Sequence, residues 1–162
     1  RPMPDFFSTL LWPKLQRVEA MMACQPNEAN AIDYRTKDGH YLSHHVDDRQ
    51  LSKEPIANLS LAGNCYMSYT NMKHKNRKRQ HEQPCHTNKV LLRARTLQVM
   101  TGKSRYDYSH GIEKHDLLSD RRVSVTMRES PPTTAATPTV TSSRIVHGEK
   151  KKGVEVEVEY PA

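Results

Sequence analysis

The sequence predicts a mainly β protein, an all-β sandwich or barrel-like pair of sheets, with a helix at its start and a disordered tail at its end. Three observations carry this reading. From Ala31 onward the chain breaks into short runs with alternation or β-branched residues: "AIDY", "YLSHHVD", "IANLSLA", "CYMSY", "VLLRA", "TLQVMT" and "RRVSVTMR". Turn-forming "KDG", "AGN", "TGKS" and "HGIE" separate them, and no helical periodicity lies between. Helical spacing is confined to residues 5–24, and residues 130–150 are rich in Pro, Thr and Ser without any period.

Taken in order, residues 1–26 form an N-terminal helical segment. Leu11, Leu15, Val18 and Met22 fit one helical face, and Pro13 suits a first helical turn. "QPNEAN" then reads as a loop. Residues 27–130 form the core, and residues 131–162 a low-complexity tail. Residues 71–89 interrupt the strands: six Lys or Arg face a single acid, Glu82, which predicts an exposed basic loop joining two strands. Within the tail, "VEVEVEY" at 154–160 alternates strictly. It predicts either an added edge strand or an acidic segment answering "KKK" at 150–152.

Composition bounds the function. The 162 residues suffice for one domain with a core, but 35% hydrophobic and 27% charged content is polar for a globular protein. A net charge of +7 and a pI near 9.4 favour polyanionic partners, nucleic acid first. Cys24, Cys65 and Cys85 are odd in number and lack CxxC spacing, so the expectation is a reducing compartment, nucleus or cytoplasm, with an organelle also open. No apolar run approaches the roughly 18–20 residues of a membrane span, and no signal peptide is visible, although the chain begins at Arg1.

"HHVDDRQ", residues 44–50, sets two histidines beside two aspartates. On a strand, His45 and Asp47 point to one face with Cα atoms roughly 6.6 Å apart, close enough to share a metal ion. That is the local half of a 2-His-1-carboxylate triad; the competing reading is a polar turn. The second histidine must come from later strands. His110, in "SRYDYSHGIEKHD", follows a strand-like run and precedes Gly111, whereas His115 sits in a polar loop and His74, His81 and His86 in the basic segment. His81, Cys85 and His86 form a rival zinc cluster whose spacing matches no standard pattern. His44 falls on the opposite face from His45 by parity.

In "RRVSVTMR", 121–128, Arg122, Ser124, Thr126 and Arg128 share one strand face, while Val123, Val125 and Met127 pack into core on the other. The two arginines could clamp the carboxylates of a small dicarboxylate such as 2-oxoglutarate, with the hydroxyls lining the same pocket. The alternative is a half-exposed strand with surface arginines.

The order His45-x-Asp47-Asp48, then "PIANLSLAG", then "TLQVMTGKSRYDYSHGI", then "DRRVSVTMR" resembles the AlkB-like Fe(II)/2-oxoglutarate dioxygenases over roughly residues 27–130. The resemblance implies a double-stranded β-helix (jelly roll), with iron held by His45, Asp47 and His110. It implies that Arg122 pairs with the distal carboxylate of 2-oxoglutarate, that Arg128 lies nearer the chelating end, and that Tyr34 contacts the co-substrate. It further implies an oxidation in which 2-oxoglutarate and O2 give succinate and CO2 while a C–H bond is hydroxylated. A hydroxymethyl group on nitrogen then leaves as formaldehyde. The chain departs from the family in the roughly thirty residues that precede the core, where substrate-recognition lids lie. It departs again at Arg49, where nucleic-acid repair members tend to be acidic.

The expected substrate is an N-alkylated base in DNA or RNA. Lys73, Lys75, Arg77, Lys78 and Arg79 would hold phosphates, and Tyr66, Tyr69, Tyr106 or Tyr108 would offer a stacking face or simply pack in the core. A protein side chain, or a non-catalytic role as subunit of a larger assembly, are the competing readings. No membrane partner is expected.

Overall fold

The computed structural model describes residues 3–72 and 87–131. It is a pair of antiparallel four-stranded sheets. The strands are β1 (Glu28–Arg35), β2 (Leu42–His45), β3 (Ile56–Ala62), β4 (Cys65–Asn71), β5 (Thr87–Leu92), β6 (Leu97–Met100), β7 (Tyr108–Ile112) and β8 (Arg121–Arg128). Their order is β1-β8-β3-β6 in one sheet and β2-β7-β4-β5 in the other. Successive strands from β1 to β4 therefore alternate between sheets, the winding of a jelly roll, and the mainly β architecture matches the expectation.

The sheets close on an inner core of Ile32, Tyr34, Leu42, Ile56, Cys65, Met67, Tyr69, Leu92, Met100, Ile112 and Leu117. A second core lies behind β8 and β3, where Val125, Met127 and Ala57 meet Phe7, Leu15, Met21 and Cys24 of the N-terminal segment. Strand β8 thus has the two faces its alternation predicts, apolar outward to the N-terminal segment and polar inward. The β3–β4 turn presses on the same strand. Gly63 has φ +70°, and a Cβ there would meet the Arg121 carbonyl oxygen at 2.1 Å, so only glycine fits.

Three local expectations need correction. The N-terminal segment is not one helix: a π turn (Phe7–Leu11) runs into α1 (Trp12–Leu15), and Val18 is extended before a 3-10 turn at Glu19–Met21. Pro13 has no N–H to donate inside this run, which favours the wide turn before it. Val18 and Met22 are exposed, whereas Phe7, Leu15 and Met21 are buried. Secondly, part of "QPNEAN" is strand, because Glu28, Ala29 and Asn30 pair with Arg128, Met127 and Thr126 and partner pairing overrides a weak local preference. Thirdly, "TGKS" opens a helix rather than a simple turn: α2 (Gly102–Tyr106) starts from a capping box between Thr101 and Ser104.

The basic segment is narrower than 71–89, since β4 runs through Asn71 and β5 begins at Thr87. Lys73, Lys75, Arg77, Lys78, Arg79, His74, His81, Cys85 and His86 lie outside the described residues, as does the tail with "VEVEVEY". Among the described residues, no helix is long and apolar enough to cross a membrane.

Candidate metal centre

The centre begins with an irregularity in β2. Leu42 pairs with Ile112 and His45 with His110, three steps on one strand against two on the other, so β2 carries a bulge. Leu42 and His45 are an odd number apart and would face opposite sides of a regular strand. The bulge turns both inward, where both line one cavity. His44 is left to approach Glu113 at 3.7 Å. Gly111, next to His110, makes room for this: a Cβ there would lie 2.8 Å from the Leu42 carbonyl oxygen and 3.0 Å from the His44 backbone nitrogen. Gly111→Ala must push β2 off β7, and the expected cost is about 1–3 kcal/mol. A thermal scan should show Tm lowered by several degrees, with a matching loss of metal affinity because the pushed strand carries His45.

Asp47 lies two residues beyond the end of β2 rather than on it. Its orientation still converges with the histidines. Donor atoms of His45, Asp47 and His110 all lie within 4.8 Å of one another. His45 Nε2 is 3.7 Å from Asp47 Oδ1 and His110 Nε2 is 3.6 Å from Asp47 Oδ2. His45 Nδ1 donates to the Ser43 carbonyl at 2.9 Å, which leaves Nε2 with its lone pair toward the cavity.

The electrostatics are those of a site built for a cation. Burial resists protonation of His45, but the Asp47 carboxylate and the Ser43 carbonyl outweigh it and raise its pKa. His110 is pushed down to about 4 by burial and by the neighbouring His45 charge. Burial works against the Asp47 carboxylate, yet His45, His110 and Arg105 hold its pKa below the ordinary value. Asp47 Oδ2 is buried and has no hydrogen-bond donor. A buried carboxylate with one oxygen toward each of two imidazole nitrogens fits a divalent metal with imidazole and carboxylate ligands.

Across the same cavity stands Arg122, 1% exposed, opposite Tyr34 on β1. Its guanidinium donates to Ser124 Oγ at 2.6 Å and to Asn58 Oδ1 and Ser60 Oγ at 3.3 Å each, and lies 5.4 Å from the centre of the Tyr34 ring. All these partners are neutral, and Nε has none. A buried guanidinium held by hydroxyls, an amide, a ring and the neutral Cys65 thiol fits an incoming carboxylate. Tyr34 is buried, with its phenol pushed up to about 12, so it stays neutral beside that charge. Arg128 lines the cavity too, but is already ion-paired with Glu28, whose other oxygen accepts from Ser130 Oγ at 2.6 Å.

A wider concavity adjoins this one, sharing Gln98 and Met100 with it and lined further by Tyr69, Asn88, Val90 and Tyr108. Its polar groups are amides and hydroxyls, none of them charged. Tyr69, His110 and Asn88 stand in one row across β7, β4 and β5. Of the other tyrosines considered for stacking, Tyr66 is exposed away from the site and Tyr106 lies against Arg49 and Arg105. His115 sits outside the site beside Asp116.

Arg105 is the residue that sequence reasoning missed. It is 2% exposed and donates to the carbonyls of Asp47, Asp48 and Ser52 at 2.8, 2.9 and 3.0 Å. It stands inside the "TG-x-x-R-Y" segment, but an arginine whose acceptors are backbone carbonyls leaves no sequence pattern to find.

A jelly roll holding a His-Asp-His donor set beside a buried arginine is the class of a non-haem metal oxygenase with an anionic co-substrate. Residues 1–128 match the family model of the 2OG-Fe(II) oxygenase superfamily, and the chain belongs to that family. Fe(II) and 2-oxoglutarate are its cofactors. Among 57 solved chains that match is one described as "The structure of OsALKBH1", 17% identical, with a TM-score of 0.54, covering 78% of this chain and 66% of that one. At that identity the likeness is one of fold, and this chain spans just under two thirds of the other's length. No curated protein matches.

Proposed function

We propose that the protein is an AlkB-like oxygenase that removes alkyl groups from nitrogen atoms of nucleic-acid bases, with His45, Asp47 and His110 holding iron and Arg122 holding 2-oxoglutarate. The observation that carries the cofactor assignment is the pairing of an orphaned buried carboxylate oxygen with an orphaned buried guanidinium nitrogen in one cavity. When bound, Fe(II) and 2-oxoglutarate supply a two-electron oxidation in which O2 is consumed, succinate and CO2 are released and one oxygen atom enters a C–H bond.

The chain's own residues orient and exclude. Arg122, supported by Ser124, Asn58 and Ser60, fixes the far carboxylate; Tyr34 covers its face; Arg128 adds positive charge at the metal end, where Asp47 and Asp48 lie. Hydroxylation on a carbon bound to nitrogen gives an N-hydroxymethyl group, which dissociates as formaldehyde.

Two features support a base as substrate. The adjoining concavity presents amides, hydroxyls and the Tyr108 ring without charge, chemistry suited to a neutral heterocycle. The cationic residues 73–79 join β4 to β5, whose ends at Asn71 and Thr87 lie beside groove residues Tyr108 and Asn88. Free thiols at Cys24 and Cys65 favour a reducing, intracellular setting.

Binding of a single-stranded oligonucleotide should weaken steeply with salt. Neutralising Lys73, Lys75, Arg77, Lys78 and Arg79 together should flatten that slope by up to roughly 3.5, about 0.7 for each phosphate that is no longer neutralised. Titration of a fluorescent oligonucleotide at several salt concentrations measures this. An unchanged slope in the variant would count against the nucleic-acid assignment while leaving the iron site untouched.

A further inference from the structure

The donor set comes from three places: His45 from the end of β2, His110 from the middle of β7, and Asp47 from a loop beyond β2 outside any strand. Something must fix the loop. Segment 101–110 does so while also carrying His110. Within it, α2 is tied to the Asp47 loop at several points. Arg105 takes the Asp47, Asp48 and Ser52 carbonyls. The Gly102 N–H donates to the Glu54 carboxylate, the Glu54 N–H donates to the Tyr106 hydroxyl at 3.3 Å, and Arg49 donates to the Tyr106 carbonyl. Arg105 differs from the rest in being fully buried and in reaching the metal-facing residue itself.

We infer that Arg105 is a positioning residue for the metal centre: its guanidinium fork clamps the Asp47–Ser52 loop and thereby sets the aspartate where both histidines can share a metal with it. The inference rests on the metal assignment above. Three carbonyls from one loop converge on two nitrogens of one side chain, and the planar fork meets acceptors in fixed directions that a lysine ammonium cannot reproduce. The cation's hydrogen-bond acceptors are the carbonyl dipoles of the loop it orders, and its charge also acts on the Asp47 carboxylate. The loop and the arginine therefore hold each other, because either released alone leaves buried polar groups unmet. The Tyr106 ring lies 5.2 Å from the guanidinium and 5.7 Å from that of Arg49 in the same loop.

Residues that orient metal ligands alter affinity by roughly 10–100-fold when removed. The test uses the full chain and Mn(II) as the probe, titrated anaerobically by calorimetry in wild type, Arg105→Met and Arg105→Lys, beside a thermal scan of each without metal. Arg105→Met should raise the Mn(II) Kd by 10–100-fold. Arg105→Lys should restore only a small part of the loss. Under saturating Fe(II), succinate release by Arg105→Met should recover most of its rate with the KM for 2-oxoglutarate unchanged, because Arg122 stands on β8 and is held by Ser124, Asn58 and Ser60 rather than by the Arg105 loop.

A lowered Tm with wild-type Mn(II) affinity would overturn the inference and leave Arg105 as scaffold. So would full recovery of affinity in Arg105→Lys, since charge alone would then suffice. If wild type itself failed to bind Mn(II), the metal assignment would fall and this inference with it, an outcome distinct from a variant that binds as tightly as wild type.

Discussion

Asp47→Ala is expected to abolish useful iron binding while leaving the fold intact. It removes the carboxylate that approaches both His45 and His110, leaving two imidazoles and no anion at the centre. The same carboxylate has one oxygen without a donor and only the other facing His45, so alanine should lower the metal-free Tm far less than it lowers metal affinity. Metal affinity should fall at least a hundredfold, on the order of 3 kcal/mol or more, as for the loss of one partner of a buried charge pair.

The pH dependence of metal binding follows from the same residues. The Asp47 carboxylate and the Ser43 carbonyl raise the pKa of His45 whereas burial lowers that of His110 to about 4, so a metal competes with a proton at His45 more than at His110. Metal affinity in wild type should therefore rise with pH until His45 is neutral, with proton release on binding that falls away over the same range. In Asp47→Asn the His45 proton loses its carboxylate neighbour, and that dependence should move to lower pH. Calorimetry in two buffers of different ionisation enthalpy counts the protons.

Arg122→Met is expected to separate co-substrate binding from stability. In the metal-free protein Arg122 is a buried cation with neutral partners only. Replacing such a charge with an apolar chain of similar reach is often neutral or stabilising by about 1–4 kcal/mol. The metal-free Tm should hold or rise, tempered by the Ser60 and Ser124 hydroxyls left with fewer partners. Binding of 2-oxoglutarate to the metal-loaded protein should weaken by about 100–1,000-fold, the counterpart of about 3–4 kcal/mol for a desolvated guanidinium–carboxylate pair. Arg128 should behave otherwise, because Glu28 already meets its charge. A variant at Arg128 strands that glutamate, so it should cost stability before it costs co-substrate. Thermal scans with and without 2-oxoglutarate distinguish the two arginines.

The parts of the fold and site that were legible in the sequence are those that depend on regular periods. Strand β8 keeps strict alternation from Arg122 to Arg128, so the faces of Arg122, Ser124, Thr126 and Arg128 follow from parity. The structure also brings His45, Asp47 and His110 together and leaves His44 beside Glu113, though not by the regular strand that the sequence reading assumed. What parity could not show is the bulge in β2, since a bulge is set by pairing with β7 and not by β2 alone. Nor could it show that Asp47 lies beyond the strand, held by an arginine 58 positions later. The N-terminal helix was overdrawn for a related reason. An apolar stripe through Leu11, Leu15, Val18 and Met22 satisfies a helical period, but packing against Val125 and Met127 selected Phe7, Leu15 and Met21 instead.

The central claim is that His45, Asp47, His110 and Arg122 form one Fe(II)- and 2-oxoglutarate-binding site. The measurement that tests it most directly is anaerobic calorimetry of 2-oxoglutarate binding to the Fe(II)-loaded protein, in wild type, His45→Ala and Arg122→Met. The account predicts one co-substrate site in wild type. In His45→Ala both iron and 2-oxoglutarate binding should be lost, and in Arg122→Met iron binding should persist while 2-oxoglutarate binding falls by two orders of magnitude or more. Iron bound with wild-type affinity by His45→Ala, or 2-oxoglutarate bound equally well by Arg122→Met, would contradict it.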